Sequence, residues 1–379
     1  MLEYLDMKSL VLALAVALLL CFPLLNTANI TYPLPETVGS NTVAPPPPSF
    51  TWQNVNGTDY TTPVKNQEPC PSCEAYALCA VLETLVHYEV GYNFGCDLSE
   101  AHLFFCPGGT CAWGVNVSHA ADYLVEFGVP DEGCFPDPHR RTDSPCNQSL
   151  PGWENRTVKI RDWGWVENDI AGIKQALIEH GPLVICIWVW KDFMYYSGGV
   201  YRHRWGALEG GHLVTLMGYD DGQQCWIVKN SWGSNWGEEG WFRMAYDADM
   251  FIPGCYGGTG ILYVDGVYGT FRPDAPRVYI EQPRRYHSYL WGTEFPSVLG
   301  RALLQIGIPR LFGPLPLSVN ATNTAQVEFV LDGDIRHTDG EPPFTWLLRA
   351  APGLHTLEVL AYTTEGFASK DIVDFYTII

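Results

Sequence analysis

The stretch "KNQEPCPSCEAYALC", Lys65 to Cys79, sets Cys70 and Cys73 in a Cys-x-x-Cys pair. Three chemistries fit that spacing: thiol–disulfide exchange, half of a metal site, or a nucleophilic thiol beside a disulfide cysteine. The metal reading would add Cys106 and Cys111 as further zinc ligands. The nucleophile reading demands more of the chain. A thiol attacking a carbonyl needs an imidazole to take its proton, a group to orient that imidazole, and donors for the oxyanion that forms. His212 in "GGHLVTLMGYD", Asn230 in "CWIVKNSW" and Gln67 ahead of the cysteines are side chains of those types. Singly, each has a structural explanation: a bridge for Cys73, a satisfied core histidine, an asparagine opening a turn, a surface glutamine.

The elements that would position them follow from the apolar spacing. Leu78, Val81, Leu82, Leu85 and Val86 recur at helical intervals after Cys73. Ser72 stands where an N-cap would, so Cys73 begins a helix, where free backbone N–H groups and the dipole favour a thiolate. Further helices are expected over 118–127 and 168–180. "PLVICIWVW", "GGHLVTLMGYD" and "CWIVKNSW" are β-branched and aromatic, of strand type. Helices early and strands late give an α+β class. From Pro276 the chain turns all-β, with a hairpin signalled by Asp332-Gly333 in "AQVEFVLDGDIRHTD" and period-two alternation in "LHTLEVLAYTTEGFASKDIVDFYTI". The boundary is expected in "TFRPDAPR".

The chain has 379 residues and a formal net charge of −20, a surface that repels phosphate backbones and anionic lipids, so nucleic acid is not an expected partner. A lysine followed by the apolar run Leu10 to Leu20, with small residues near Ala28, has the layout of a secretory leader over 1–28. If it stays uncleaved, it anchors the chain in a membrane. Residues 29–50 form a short arm ending in "APPPPSF", expected to be an extended spacer. The leader implies a secreted, possible cell-surface protein with bridged cysteines. Asn-x-Ser/Thr sites at Asn29, Asn56, Asn116, Asn147, Asn155 and Asn320 are compatible with glycosylation. Of 12 cysteines, 11 follow Cys21. That odd number predicts one free thiol and ten bridged ones.

Taken together, "TPVKNQEPCPSCEAYA", "GGHLVTLMGYD" and "WIVKNSWGSNWGEEGWFRM", with "LSEAHLFFC" and "YSGGVY" between them, resemble the papain-like cysteine peptidases over most of residues 50–270. The resemblance implies a two-subdomain α+β peptidase over 51–270, with a helical left half and a β-barrel-like right half. It puts Cys73 in the place of the nucleophile and His212 in that of the base. The two lie 139 positions apart, from 73 to 212, within the roughly 130–150 usual for this family. It makes Asn230 the residue that orients the histidine, and Gln67 an oxyanion donor alongside the Cys73 N–H. Trp232 would shield the Asn230–His212 contact at the substrate cleft. Gly114 and Gly211 would meet substrate, and Trp113 would narrow the cleft. Cys70–Cys111 and Cys106–Cys146 would be bridged, no metal or organic cofactor is required, and the substrates would be proteins or peptides. Residues 276–379 resemble an immunoglobulin-like β-sandwich through "VEFVLDGDIRHTD" and "PGLHTLEVLAYTTEG", with a cell-surface or polymer ligand as its partner. "RRYHSYLWGTEFPSVLGRALLQIGIPRLFG" fits that module poorly and reads as an insertion.

The chain departs from the family pattern next to the nucleophile. Where the family commonly has Cys-Gly-Ser-Cys-Trp, this chain reads "CPSCE". Glu74 facing inward would oppose a thiolate and raise the pKa of Cys73. The family's long helical pro-segment is also replaced by the arm at 29–49, which either covers the cleft or leaves control to another device. Two rival readings follow: a catalytically silent binding or adhesion protein on a peptidase fold, and a thiol–disulfide exchange protein using Cys70 and Cys73.

Overall fold

The computed structural model describes residues 28–30, 45–137, 143–248, 250–271, 276–283, 287–296, 308–364, 366 and 368–378. Residues 1–27 of the expected leader and 31–44 of the arm lie outside them.

Four α-helices are present among the described residues: α1 Cys73–Val90, α2 Glu100–Phe105, α3 Val117–Glu126 and α4 Ile170–Glu179. α3 and α4 fall within two residues of the bounds expected from the sequence. α2, only six residues long, is too short to show a periodicity and was not expected. α1 starts at Cys73, but the Ser72 side chain does not cap it. The Ser72 hydroxyl instead donates to the Cys70 carbonyl at 3.3 Å. Most of α1 is buried, on every side rather than along one stripe.

Ten strands form the first sheet: β1 Ala28–Ile30, β2 Ser49–Thr51, β3 Val129–Pro130, β4 Thr157–Trp165, β5 Leu183–Trp190, β6 Val200–Tyr201, β7 Leu208–Asp220, β8 Cys225–Lys229, β9 Trp241–Ala245 and β10 Ile261–Phe271. Their order is β3-β4-β10-β5-β7-β8-β9-β6, with β1 on β10 and β2 on β7. The two-residue alternation of a strand lets β5 and β7 serve two cores at once. Val184, Cys186 and Leu213 pack with α1 and α3 in the left core. Leu183, Ile185, Ile187, Val214 and Leu216 face the aromatic right core around Phe193, Trp226 and Phe242. The cores meet across β5 and β7, where the Thr215 hydroxyl donates to the Ala77 carbonyl of α1 at 3.1 Å.

The end of the proline arm is not a free spacer. Tyr219 donates to the Pro47 carbonyl at 2.8 Å and the Asp221 N–H to Pro48 at 2.9 Å. β2 then pairs with β7 from Ser49↔Asp220 to Thr51↔Gly218. The exposed prolines still have carbonyls to offer, which is why they dock.

The remaining strands are β11 Arg277–Gln282, β12 His287–Leu290, β13 Thr293–Pro296, β14 Arg310–Phe312, β15 Leu315–Thr322, β16 Gln326–Leu331, β17 Asp334–Asp339, β18 Thr345–Leu348, β19 Gly353–Tyr362 and β20 Ala368–Thr377. A three-stranded sheet, β11-β15-β18, and a seven-stranded one, β13-β12-β14-β20-β19-β16-β17, enclose a core containing Val278, Leu317, Phe329, Leu357, Val359 and Phe375. Asp332 and Gly333 both have positive φ, +54° and +86°, as a two-residue hairpin requires. The stretch read as an insertion is built into the sandwich, since β12, β13 and β14 come from its described residues. β14 pairs in parallel with both β12 and β20. Parallel neighbours need a crossover, so no hairpin pattern marked β14, whereas β12 and β13 form an antiparallel hairpin across Trp291-Gly292.

Three disulfides are present among the described residues: Cys70–Cys111, Cys106–Cys146 and Cys186–Cys255. Cys79, Cys96, Cys134 and Cys225 are free as well as Cys73. The cysteine count therefore misled. All four lie in the core, where an unpaired cysteine behaves as a small hydrophobe.

Candidate active site

Cys73 sits on the first residue of α1, against β7. With Cys70 bridged to Cys111, Cys73 has no Cys-x-x-Cys partner, and of the other sulfurs that a zinc site would need, Cys70 and Cys111 are bonded to each other and Cys106 to Cys146. The Cys73 S–H donates to Glu74 Oε2 at 3.7 Å, and the carboxylate also accepts from the Tyr256 hydroxyl at 2.8 Å on Oε1. Glu74 is 4% exposed, so it faces inward. Burial, and then the adjoining carboxylate, push the Cys73 thiol well above its ordinary range, although the Leu213 backbone N–H pulls the other way. Burial and Glu74 thus oppose the thiolate that the helix terminus favours. Burial also raises the Glu74 carboxyl, partly offset by a backbone hydrogen bond, Tyr256 and Cys73.

His212 lies on β7, with Nε2 2.8 Å from Asn230 Oδ1. An amide oxygen can only accept, so Nε2 carries the proton and Nδ1 keeps the lone pair. The Trp232 ring stacks on the imidazole at 4.9 Å between centroids. Burial lowers the His212 pKa to about 4, with the Asn230 contact opposing. Asn230 Oδ1 also accepts from the Ser231 N–H at 2.8 Å, and Asn230 Nδ2 is buried without a partner among the described residues.

Gln67 is anchored to the same turn. Its N–H donates to the Ser231 carbonyl at 2.9 Å, and its Oε1 accepts from the Ser231 hydroxyl at 2.6 Å. That leaves the Gln67 side-chain NH₂ as the end free to donate. Ser231 was not singled out in the sequence; a serine beside an asparagine carries no signal of its own.

A pocket of about 370 Å³ opens beside Cys73. Glu74, Gly114, Gly211, Leu213 and the Cys186–Cys255 bridge line it, together with Tyr256. Gly114 has φ +74°, a conformation that favours glycine, and a Cβ there would sit tightly, 3.1 Å from Glu74 Oε1. Trp113 is at the pocket edge but 91% exposed, so it marks the rim rather than narrowing the interior. Trp232 is not on this pocket; it covers His212. Neither the third bridge nor Tyr256 was legible, because both depend on the return of residues 252–260 to β5.

Behind the cleft, Lys65 Nζ meets Glu83 at 2.9 Å, Asp97 at 2.6 Å and Glu100 at 2.7 Å. Lys229 donates to Thr62 at 2.8 Å and Thr62 to Glu83 at 2.5 Å. This network ties the segment carrying Gln67 to α1 and α2. Burial raises Glu100 to about 8 against the pull of Lys65.

Comparison with known proteins finds relatives of the chain. "Cathepsin B-like CP2" of Giardia intestinalis is 34% identical over 201 residues, 48% of this chain and 63% of that protein. "Cathepsin B-like cysteine proteinase 6" of Caenorhabditis elegans is 48% identical over 223 residues, 49% of this chain and 58% of that one. The chain thus spans less than two thirds of either relative. A solved structure of the bromelain protease from Ananas comosus in complex with the E64 inhibitor aligns with 58% of this chain and 99% of its own, at 29% identity and a TM-score of 0.47. The family model described as "Papain family cysteine protease" matches residues 46–256, more than half of the sequence. The chain belongs to the papain family of cysteine proteases.

Proposed function

We propose that this protein is an exported cysteine endopeptidase that cleaves protein or peptide substrates through an acyl-enzyme. The observation that carries the reading is the His212–Asn230 contact of 2.8 Å under the Trp232 ring, on the strand that packs against the helix begun by Cys73. Cys73 Sγ gives its proton to His212 Nδ1 and attacks the substrate carbonyl carbon. The carbonyl oxygen becomes an oxyanion that accepts from the Gln67 amide and the Cys73 N–H. Collapse expels the amine, which takes the proton from His212, and leaves a thioester on Cys73. Water, deprotonated by His212, then releases the acid and restores the thiol. Asn230 holds the imidazole in the tautomer that this sequence of transfers needs. Export is supported by the leader-like N-terminus and three disulfides.

The test is hydrolysis of a denatured protein by wild type and by Cys73→Ala, with circular dichroism on both. Turnover by wild type alone is expected. Equal turnover by the variant, or none by a folded wild type, would remove the peptidase reading.

A further inference from the structure

The pocket beside Cys73 holds one carboxylate, and that carboxylate is also the acceptor for the nucleophile's proton. Its other ionisable lining groups are Cys73 and Tyr256; Cys186 and Cys255 are bridged and do not titrate. Glu74 is nearly sealed from water and meets no cation among the described residues: its partners are the Cys73 thiol at 3.7 Å, the Tyr256 hydroxyl at 2.8 Å and a backbone N–H. A buried carboxylate satisfied only by neutral donors is poorly compensated, and a positive charge beside it would gain strongly. Trp113, at the rim, offers an indole face to a cation on its way in. The net charge of −20 adds to the attraction.

We infer that Glu74 is a latch on the nucleophile that is opened by a cationic substrate side chain, lysine- or arginine-like, seated in this pocket next to the scissile bond. Resting on the peptidase reading above, this inference names the substrates that the site takes. With the pocket empty, Cys73 points its proton at Glu74 and is a thiol. When an ammonium or guanidinium pairs with Glu74, the carboxylate no longer competes for that proton. The S–H turns to His212 Nδ1, the only ring nitrogen with a free lone pair. The proton then passes from Sγ to Nδ1, giving thiolate and imidazolium with no net change of charge. The cation therefore acts on the chemical step as well as on binding, and its preference appears in kcat more than in KM.

The first experiment follows the alkylation of Cys73 by iodoacetamide at pH 7, mapped by mass spectrometry, in wild-type protein alone, with n-butylammonium and with 1-butanol. The two additives share a carbon chain and differ in charge. Butylammonium is expected to speed labelling about fivefold or more, while butanol leaves it unchanged or slows it by occupancy. Equal effects of the two would overturn the latch, and this comparison needs no variant. In Glu74→Gln, labelling is expected to be fast at rest and indifferent to the cation. Slow labelling that butylammonium still accelerates would place the switch elsewhere.

The second experiment compares peptides matched except for lysine or norleucine at each position before the scissile bond. A ratio of kcat/KM of about 30 or more at one position is expected, the scale of one buried charge pair. It is expected to fall below about 3 in Glu74→Gln. Cleavage of every peptide at equal rates would remove the inference and leave the peptidase reading standing. Cation-accelerated labelling with no cleavage of any peptide would do the reverse.

Discussion

At the scale of single residues, the resting site disfavours charge. Burial holds His212 down to about 4 and, with Glu74, holds Cys73 well above an ordinary thiol. Both shifts work against the charged forms in the ligand-free protein. Iodoacetamide labelling of Cys73 is therefore expected to be slow at pH 5 and to keep rising with pH past the range of an unperturbed thiol. A plateau below pH 7 in the measured rate profile would show a depressed thiol instead. The gathering of His212 and Gln67 about the Asn230–Ser231 turn was foreshadowed because each sits in a distinctive block of residues. The state of the thiol was not, because it turns on where the Glu74 side chain points. Sequence could say only that an inward Glu74 would matter.

At the scale of elements, the helices that frame the cleft carry buried groups whose protonation matters to stability. His102 on α2 is fully buried against Trp153, with ring centroids 4.3 Å apart, and neither nitrogen has a partner among the described residues. Burial lowers its pKa to about 3. Unfolded, it would protonate near 6.5, so between 6.5 and 3 the unfolded state binds more protons. Stability is thus complete above 6.5 and falls on acidification, by about 1.4 kcal/mol per pH unit for this group. His87 and His212 shift in the same direction. His102→Phe is expected to flatten the acid limb by one histidine's share, measured as urea midpoints from pH 7 to pH 4. An unchanged slope would count against that account. The sequence showed neither α2 nor this burial, whereas α1, α3 and α4 announced themselves by length and spacing. β7 was legible as a strand, but its service to two cores appears only once α1 lies on one face of it.

At the scale of the whole molecule, the sandwich is fastened to the left half of the peptidase region, away from the pocket. Arg156 holds Asp131 through two hydrogen bonds of 2.8 and 2.7 Å, and its third nitrogen donates to the Ala368 carbonyl at 2.7 Å. Lys370 reaches the Gln148 carbonyl at 2.9 Å, and a Cβ on Gly133 would lie 1.6 Å from Ser369 Oγ. Arg156→Ala is expected to lower stability by about 2–3 kcal/mol, the scale of charge-assisted hydrogen bonds lost from a largely buried site. Calorimetry should then resolve a separate, earlier transition of the β-sandwich. One unaltered transition would mean that the joint contributes little. This joint was invisible in the sequence, because its partners stand over 200 positions apart, from 156 to 368.

The five free thiols among the described residues have a consequence for how the chain is made and lost. Cys79, Cys96, Cys134 and Cys225 are safe only while the core is closed. In an oxidising compartment, native pairing is then a race: packing must hide these thiols before oxidant reaches them. Heating reopens the race. Once the core parts, each thiol can attack one of the three bridges, and every exchange leaves a chain with the wrong connectivity. The working lifetime of the protein is set by how seldom it opens, a rate rather than an equilibrium.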